Sequence, residues 1–236
     1  MNDDVRSQFY ETYSATQNWR GPPVDLGASY FQHISQLAGF GAGLRILEFG
    51  FGQGAFLDWA AAQGHSVAGV EILPDMVAAA AARGHEVHMG SLDTCGFQPG
   101  EFDLICAFDV LEHLDLAQIV AFMQATSGLA KPAGKLFLRF PNGESPFSLA
   151  YQYGDVTHKT VLSAAIIEQV AQGSGWRAAR TLRPRLYPPG FKERFKRWTA
   201  YRARDLIEWV VGVAYFGRKA NLEPNVEILL TRVGKL

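Results

Sequence analysis

The chain has 236 residues, 48% of them hydrophobic and 19% charged, a composition that excludes an intrinsically disordered protein. This length accommodates one large domain with a complete core. The net charge of −1 excludes a strong overall field, so no nucleic-acid partner is expected. Two cysteines provide no disulfide framework, and the N-terminus lacks the apolar stretch of a secretory signal, so a cytoplasmic location is expected.

The first 40 residues are predicted to be mainly helical, with an interruption at Gly21, Pro22 and Pro23. We interpret residues 1–40 as an N-terminal lid, to which Tyr10 and Tyr13 belong. A lid of this kind covers a bound ligand and excludes water from it.

Residues 41–182 alternate predicted strands with predicted helices. The predicted strands are 45–49, 66–71, 86–89, 103–109, 135–140 and 176–182, and the predicted helices are 53–63, 74–83, 116–129 and 163–172. This alternation is typical of a mostly parallel α/β sheet with helices on both faces. In such a sheet ligands bind at the carboxyl ends of the strands, so residues directly after each strand are the site candidates.

The first strand ends in an acid and three alternating glycines. Glu48 is followed by Gly50, Gly52 and Gly54, and then a helical pattern begins. Glycine allows a sharp turn and a close approach of the backbone to a ligand. A carboxylate here would repel a pyrophosphate but attract an ammonium group. Since Gly50-x-Gly52-x-x-Ala55 also fits a dinucleotide fingerprint, the spacing alone leaves a nicotinamide cofactor open.

The next two strands are also followed by candidate binding residues. Glu71, 17 residues after Gly54, is placed to accept hydrogen bonds from two ribose hydroxyls, and Ile72 lies beside it. Leu92 is placed to pack on an adenine ring, and Asp93 to accept a hydrogen bond from the adenine amine. The alternative for residues 91–93 is an ordinary polar loop.

The fourth strand leads into a cluster of titratable residues. Phe108 and Asp109 end this strand, with Phe108 assigned to the cofactor site and Asp109 to the floor of the crevice. Glu112 and His113 open the following segment. His113 is a candidate base, or alternatively a structural residue that holds a loop by hydrogen bonds.

A loop after the fifth strand contains Asp155 and His158 among several tyrosines. The unperturbed pKa of a histidine, near 6.5, suits the removal of a hydroxyl proton. We therefore predict His158 as the catalytic base, oriented by Asp155, with Asp109 and His113 as second candidates. The alternative is a hydrogen-bonded lid without proton transfer. No Cys/His/Asp spacing matches a metal cage, so no metal is expected.

A basic insertion is predicted at residues 183–220, before a last strand within residues 221–236. Residues 176–219 contain twelve Lys or Arg and three Asp or Glu, whereas the remainder contains ten and twenty. Apolar residues recur at helical spacing between residues 191 and 216, with basic residues between them. Such a helix is expected to pack on the domain or on a second copy in a homodimer, with its charges in solvent. The alternatives are that it lies on an anionic membrane surface or holds an acidic substrate.

Taken together, these motifs resemble the class I S-adenosylmethionine-dependent methyltransferases over residues 40–180. The resemblance rests on Glu48-Phe-Gly50-Phe-Gly52-Gln-Gly54, Glu71, Phe108-Asp109-Val-Leu-Glu112-His113-Leu and Lys131-Pro-Ala-Gly134. It implies one Rossmann-like domain over residues 1–236, with a seven-stranded, mostly parallel sheet, an antiparallel last strand and S-adenosyl-L-methionine as cofactor. It places Glu48 and the glycines at the methionine part, Glu71 at the ribose, and Leu92 and Asp93 at the adenine.

Residues 141–147 and 153–158 are similar to bacterial methyltransferases of sugar or polysaccharide biosynthesis, and the chain resembles quinone O-methyltransferases more loosely. The expected function is therefore methyl transfer to a hydroxyl of a small molecule or saccharide. The alternatives are a quinone-type O-methyltransferase, an NAD-dependent oxidoreductase and a non-catalytic methyltransferase-like binding domain. Glu48 argues against the oxidoreductase, and the complete set of cofactor residues argues against a non-catalytic domain.

Overall fold

The computed structural model describes residues 24–90, 96–185, 188, 190–218 and 220–233. Within these residues, the predicted lid is represented by one helix and the turn after it. The rest of the lid, with Tyr10 and Tyr13, lies outside the described residues, and so do Leu92 and Asp93.

Helices and strands alternate along the described chain, as predicted. The strands are β1 (Arg45–Phe49), β2 (Ser66–Glu71), β3 (Glu86–Met89), β4 (Phe102–Phe108), β5 (Ala130–Pro141), β6 (Trp176–Leu182) and β7 (Asn225–Arg232). The helices are α1 (Val24–Ala38), α2 (Ala55–Ala62), α3 (Pro74–Ala82), α4 (Leu116–Leu129), α5 (Leu149–Tyr153), α6 (Ala164–Gln172) and α7 (Phe191–Phe216). Short 3₁₀ turns occupy Leu111–His113 and Pro146–Ser148.

The strands form one sheet in the order β3-β2-β1-β4-β5-β7-β6. Strands β1 to β5 are paired in parallel, whereas β7 runs antiparallel to both β5 and β6. The predicted Rossmann-like sheet with an antiparallel last strand is confirmed. Because β1 and β4 lie side by side in parallel, the segments that follow them meet at one edge of the sheet.

The fifth strand departs most from the prediction. It begins at Ala130, so the segment Lys131–Gly134, predicted as a turn, lies within β5. The pairing of β4 with β5 jumps from Phe102↔Ala130 to Leu104↔Lys135, and Ala133 has a φ of 61°. A bulge absorbs the extra residues, so the turn signal was present but did not end the strand. Other element boundaries differ from the prediction by one or two residues.

The central strands are buried on both faces because helices cover each side of the sheet. One core cluster joins Leu47 of β1 to Phe122 and Ile167 of α4 and α6. The other joins Ile46 of β1 to residues of α1 and α2, such as Phe56. Neighbouring residues of β1 thus enter opposite cores, as the two-residue period of a strand requires.

Helix α7 is the helical part of the predicted insertion, and it is anchored near its middle. Arg183, just after β6, lies 2.8 Å from Glu208, and Arg185 lies 2.5 Å from Asp205. No helix in the described part of the chain combines the length and the apolar character needed to cross a membrane.

Candidate active site

The glycine turn between β1 and α2 forms one side of the site. Gly50, Gly52 and Gly54 all have positive φ, which residues with a Cβ rarely adopt. A Cβ on Gly50 would come within 2.5 Å of Val110, and one on Gly54 would collide with Arg83. A Cβ on Gly52 would meet nothing within 4 Å, so Gly52 borders open space. Among the three glycines, Gly52 is therefore the one that a ligand can approach.

Glu48 lies beneath this turn with its carboxyl group buried. It is paired in register with Gly69 of β2 and Cys106 of β4, and its Oε2 has no hydrogen-bond partner among the described residues. Burial raises the pKa of Glu48 well above its usual value, and the charge of Glu71 raises it further. An ammonium group would supply the partner that this carboxylate needs, because buried charges require pairing.

Glu71 connects the end of β2 to the glycine turn. Its Oε2 accepts a hydrogen bond from Gly52 N at 2.9 Å, and its Oε1 accepts from Ile72 N at 2.7 Å and from Leu73 N at 3.2 Å. These bonds occupy three of the roughly four acceptor positions of a carboxylate. Glu71 thus shapes the turn. Its predicted bonds to two ribose hydroxyls would have to share the acceptor position that remains on its carboxylate. We call Glu48, residues 50–54 and Glu71 the glycine side.

Two other predicted cofactor residues differ in exposure. Ile72 is 54% exposed at the edge of the site. The ring of Phe108 packs between those of Phe56, at 5.1 Å, and Phe137, at 5.3 Å. Phe108 therefore contributes its side chain to an aromatic cluster of the core.

On the other side of the site, Asp109 leaves β4 in a left-handed conformation with φ 54°. Its backbone N donates to Arg139 O at 2.9 Å, and its Oδ2 lies 3.1 Å from Arg139 Nη1. Aspartate tolerates this conformation better than most residues, and such strain concentrates at functional sites. The Arg139 contacts hold Asp109 at the carboxyl edge of the sheet.

Arg139 belongs to an ion cluster that the sequence analysis missed. It is paired in register with Glu227 of β7, and its guanidinium lies 5.4 Å from the ring centroid of Tyr30. The hydroxyl of Tyr30 donates to Glu227 Oε1 at 3.2 Å. Burial raises the pKa of Glu227 to about 7, although Arg139 opposes this shift. The available signal was a charged residue inside the apolar stretch of each strand, Leu136–Pro141 of β5 and Val226–Leu230 of β7.

The 3₁₀ turn after β4 presents Glu112 and His113. Glu112 is fully buried, neither carboxyl oxygen has a hydrogen-bond partner among the described residues, and burial raises its pKa well above the usual value. The hydroxyl of Thr157 donates to Asp155 Oδ1 at 2.6 Å and lies 2.9 Å from His113 Nδ1. Because the Thr157 hydroxyl donates its hydrogen to Asp155, its oxygen accepts the hydrogen bond from His113. His113 Nδ1 therefore carries a hydrogen. Burial lowers the pKa of His113 to about 4, so His113 is neutral at pH 7.

His158 is held by a main-chain carbonyl. Its Nδ1 lies 3.0 Å from Gln152 O. Because a carbonyl only accepts hydrogen bonds, Nδ1 carries the proton and the lone pair is on Nε2. Asp155, predicted to orient His158, accepts hydrogen bonds from Thr157 N and Oγ1 and interacts electrostatically with His158, and its orienting role stays a prediction. The orienting group on His158 Nδ1 is thus Gln152 O.

Hydrogen bonds fasten the histidine loop to the turn after β4. Glu112 O accepts from Lys159 N at 2.7 Å and from Thr160 N at 3.1 Å, and the rings of His113 and His158 are 4.6 Å apart. The two histidines, 45 positions apart in sequence, therefore meet. We call Asp109, Glu112, His113, Arg139 and His158 the histidine side.

Glu112, His113 and His158 also offer potential metal-ligand atoms, all within 4.8 Å of one another. The spacing rules used on the sequence do not detect such a group, because its members come from two separate segments. The expectation of no metal stays a prediction. Two imidazoles and a buried carboxyl group this close together are suited to accepting and passing a proton.

Comparison with known proteins gives one family match and several relatives. Residues 25–209 match the model of a family described as a methyltransferase domain. A ubiquinone biosynthesis O-methyltransferase of Xanthomonas euvesicatoria pv. vesicatoria is 33% identical over 106 residues, 41% of this chain and 43% of that protein. A protein of the same name from Xylella fastidiosa strain M23 is 32% identical over 147 residues, 56% of this chain and 58% of that protein. The chain thus spans about half the length of these curated relatives.

Among solved structures, an S-adenosylmethionine-dependent methyltransferase from Archaeoglobus fulgidus aligns with a TM-score of 0.68. The two proteins are 18% identical, and the alignment covers 93% of this chain and 99% of the other. At 18% identity this similarity supports a shared fold and not a shared activity, because a single fold can carry many different activities.

Proposed function

The chain belongs to the methyltransferase domain family, and from this premise we propose that it transfers a methyl group from S-adenosyl-L-methionine to a hydroxyl of a small molecule or saccharide. S-adenosylmethionine supplies a methyl group already activated on a sulfonium sulfur. The enzyme must align the acceptor oxygen with that methyl carbon, and alignment alone can supply much of the rate.

The glycine side supplies the residues that fit the donor. Glu48 offers a buried carboxyl oxygen without a partner among the described residues, which suits the ammonium of an amino acid. Gly52 borders open space, so the backbone can pass close to the ligand. A nicotinamide dinucleotide fits less well, because Glu48 and Glu71 would both lie near its pyrophosphate.

The orientation of His158 is the observation that carries the choice of a hydroxyl acceptor. Gln152 O fixes the proton on Nδ1, which leaves Nε2 as the nitrogen that can remove a proton. His113, neutral at pH 7 and 4.6 Å away ring to ring, adds no positive charge that would oppose protonation of His158. Asp109 adds a favourable negative charge nearby. In this proposal His158 Nε2 takes the hydroxyl proton as the oxygen attacks.

The polar character of the histidine side supports a saccharide or similarly polar acceptor. Asp109 and Arg139 each keep about a third of their side chain exposed at the edge of the site, where they can hydrogen-bond to several hydroxyls. The second candidate is a phenol of a quinone precursor, and the names of the ubiquinone relatives favour it. Both candidates use the same base.

The test combines an acceptor panel with one pair of variants. Purified enzyme and labelled S-adenosylmethionine are incubated with nucleotide sugars, with catechol-type quinone precursors and with cell extract. His158→Ala should retain S-adenosylhomocysteine affinity and slow transfer about 100-fold or more. His88→Ala, on the edge strand β3, is the matched control and should transfer at the parental rate.

Three outcomes would contradict the proposal. An unchanged rate in His158→Ala would remove this residue from the mechanism. Label on nitrogen or carbon of the product would exclude O-methylation. Absence of labelled product from every acceptor and extract would favour the non-catalytic alternative.

A further inference from the structure

Helix α7 has one face packed on the domain. Tyr201, Glu208 and Gly212, spaced seven and four residues apart, are its buried residues and lie on one side of the helix. Leu206, at 60% exposure, and Trp209, at 56%, lie outside this line of buried residues and contact solvent. The domain therefore leaves an apolar face of α7 uncovered.

The uncovered face continues along the whole helix. Phe191, Phe195 and Trp198 are exposed, and their rings stack in succession at centroid distances of 6.5 and 5.9 Å. Eighteen residues make five helical turns, so these three side chains align with the exposed residues 209, 213 and 216. The result is an apolar stripe roughly 39 Å long. Apolar patches of this extent mark interaction sites.

Basic side chains flank the stripe, and Arg202 interrupts it between Trp198 and Trp209. Those exposed near the N-terminal half of α7, and without an acidic partner among the described residues, are Lys192, Arg194, Lys196, Arg197 and Arg202. The acids Asp205 and Glu208 of the same helix are engaged by Arg185 and Arg183. Glu193 is thus the one acid left to offset five basic charges on this surface of α7.

We propose that the uncovered face of α7 binds a membrane surface that contains anionic phospholipids. A helix with an apolar stripe, aromatic residues and flanking Lys and Arg lies in the plane of such an interface. Each basic residue near an anionic membrane strengthens binding. The helix would rest on the membrane without crossing it.

Charge argues against a second copy of the chain as the occupant. In a parallel pair of α7 helices, the basic N-terminal halves would repel one another. In an antiparallel pair, each basic half would face residues 206–216, whose exposed members include no acid. An external anionic surface complements these charges better than a second copy does.

The position of α7 links membrane binding to the site. The segment after α7 is tied to the carboxyl end of β5, where Asn142 Nδ2 donates to Glu223 O at 2.9 Å and Ser145 Oγ donates to Leu222 O at 2.8 Å. A membrane bound to α7 would therefore lie near the edge that carries the histidine side. Membrane binding would then bring a membrane-linked acceptor close to the site. Only this consequence rests on the proposed function.

Vesicle flotation of the full chain tests the proposal directly. The chain should float with vesicles that contain phosphatidylglycerol and remain below with pure phosphatidylcholine, and high salt should release it. Lys192→Glu with Lys196→Glu should weaken binding about 25-fold or more, because each basic residue contributes about fivefold. Trp209→Ser with Val213→Ser should also weaken it, since apolar burial is lost.

Two matched controls replace similar residues elsewhere. Leu116→Ser changes an exposed apolar residue on α4, and Arg177→Glu reverses an exposed charge on β6. Both should bind vesicles like the parent. S-adenosylhomocysteine affinity, measured for every variant, reports the integrity of the fold and is independent of the acceptor.

The proposal is overturned if the parent fails to float with anionic vesicles at low salt, or if both α7 variants bind like the controls. It is also overturned if the parent is a dimer that Trp209→Ser with Val213→Ser dissociates while vesicles capture neither protein. That result would identify a second copy as the occupant. None of these results depends on methyl transfer.

Discussion

The two sides of the site are assembled over very different distances along the chain. On the glycine side, Glu71 holds the turn through backbone groups one, two and 19 positions away. On the histidine side, His113 meets Thr157 across 44 positions, and Tyr30 reaches Glu227 across 197. The first side is therefore a local motif, whereas the second exists only when distant strands pair.

The two sides also differ in how their charges are balanced. Backbone N–H groups donate to Glu71, while a buried carboxyl oxygen of Glu48 has no hydrogen-bond partner among the described residues. On the histidine side, Arg139 is the counter-charge of three acids, Asp109, Glu112 and Glu227. The carboxyl group of Glu112 has no hydrogen-bond partner among the described residues. Stability should therefore depend on the histidine side, and donor affinity on the glycine side.

Removing Arg139 should produce the largest effect on stability. Arg139→Met leaves Asp109 and Glu227 without their counter-charge, which should lower the free energy of unfolding by about 3 kcal/mol. Urea denaturation at pH 7 measures it. Arg177→Met, at an exposed position on β6, is the control and should change stability by less than about 0.5 kcal/mol. Equal losses in both variants would show that the ion cluster contributes nothing specific.

A pair of glycine variants should next separate backbone strain from ligand binding. Gly52 and Gly64 both have positive φ and open space at the Cβ position, but only Gly52 lies on the glycine side. Gly52→Ala and Gly64→Ala should therefore each destabilise the fold by about 1 kcal/mol. Only Gly52→Ala should weaken S-adenosylhomocysteine binding, by about 30-fold. Calorimetry giving the same affinity for both would place the ligand elsewhere.

The raised pKa of Glu48 should make donor-side binding pH-dependent. Below this pKa the free carboxyl is protonated, and a bound ammonium favours the carboxylate, so binding releases a proton. Affinity for S-adenosylhomocysteine should therefore rise with pH, by up to tenfold per pH unit, until Glu48 is ionised in the free protein. Calorimetry in buffers of different ionisation enthalpy measures the released proton. Glu48→Gln should bind more weakly at high pH and release no proton; a persistent release would implicate another group.

His113 should produce the smallest effect, a pH dependence of stability. Its folded-state pKa of about 4 lies below the usual 6.5, so the unfolded chain binds more protons between these values. Stability should fall as pH drops through this window, by about 1 kcal/mol from pH 6.5 to 5.5. His113→Gln should flatten the curve, and His88→Gln should keep the parental curve. Identical curves for both variants would mean that His113 is not buried as a neutral ring.

Most of the sheet could be predicted from sequence. Strands such as β1 and β2 are short apolar runs bounded by glycine or charge, and their limits matched the structure because local patterning determines them. The start of β5 could not be predicted in this way. Pairing with β4 extended the strand across Lys131–Gly134, and tertiary pairing outweighed the turn signal.

The residues of the candidate site likewise fall into two groups, those that local sequence patterns identified and those that only tertiary contacts bring together. Glu48, the glycines and Glu71 were identified because each follows its own strand, and parallel strands end at one edge. Arg139, Glu227 and Gln152 were missed, because a charge inside a strand or a main-chain carbonyl in a loop has no motif. The prediction that Asp155 orients His158 rests on proximity in sequence, whereas the contact of Gln152 O with Nδ1 depends on how the loop folds.

The sequence by itself determined the order of strands and helices, the glycine turn with its acid, and the amphipathic pattern of α7, since all three depend on residues close together in the chain. The tertiary structure decided which charges share a site, which nitrogen of His158 is available, and which face of α7 stays uncovered. These features depend on contacts between segments that are far apart in sequence, and such contacts form only when the folded sheet brings those segments together.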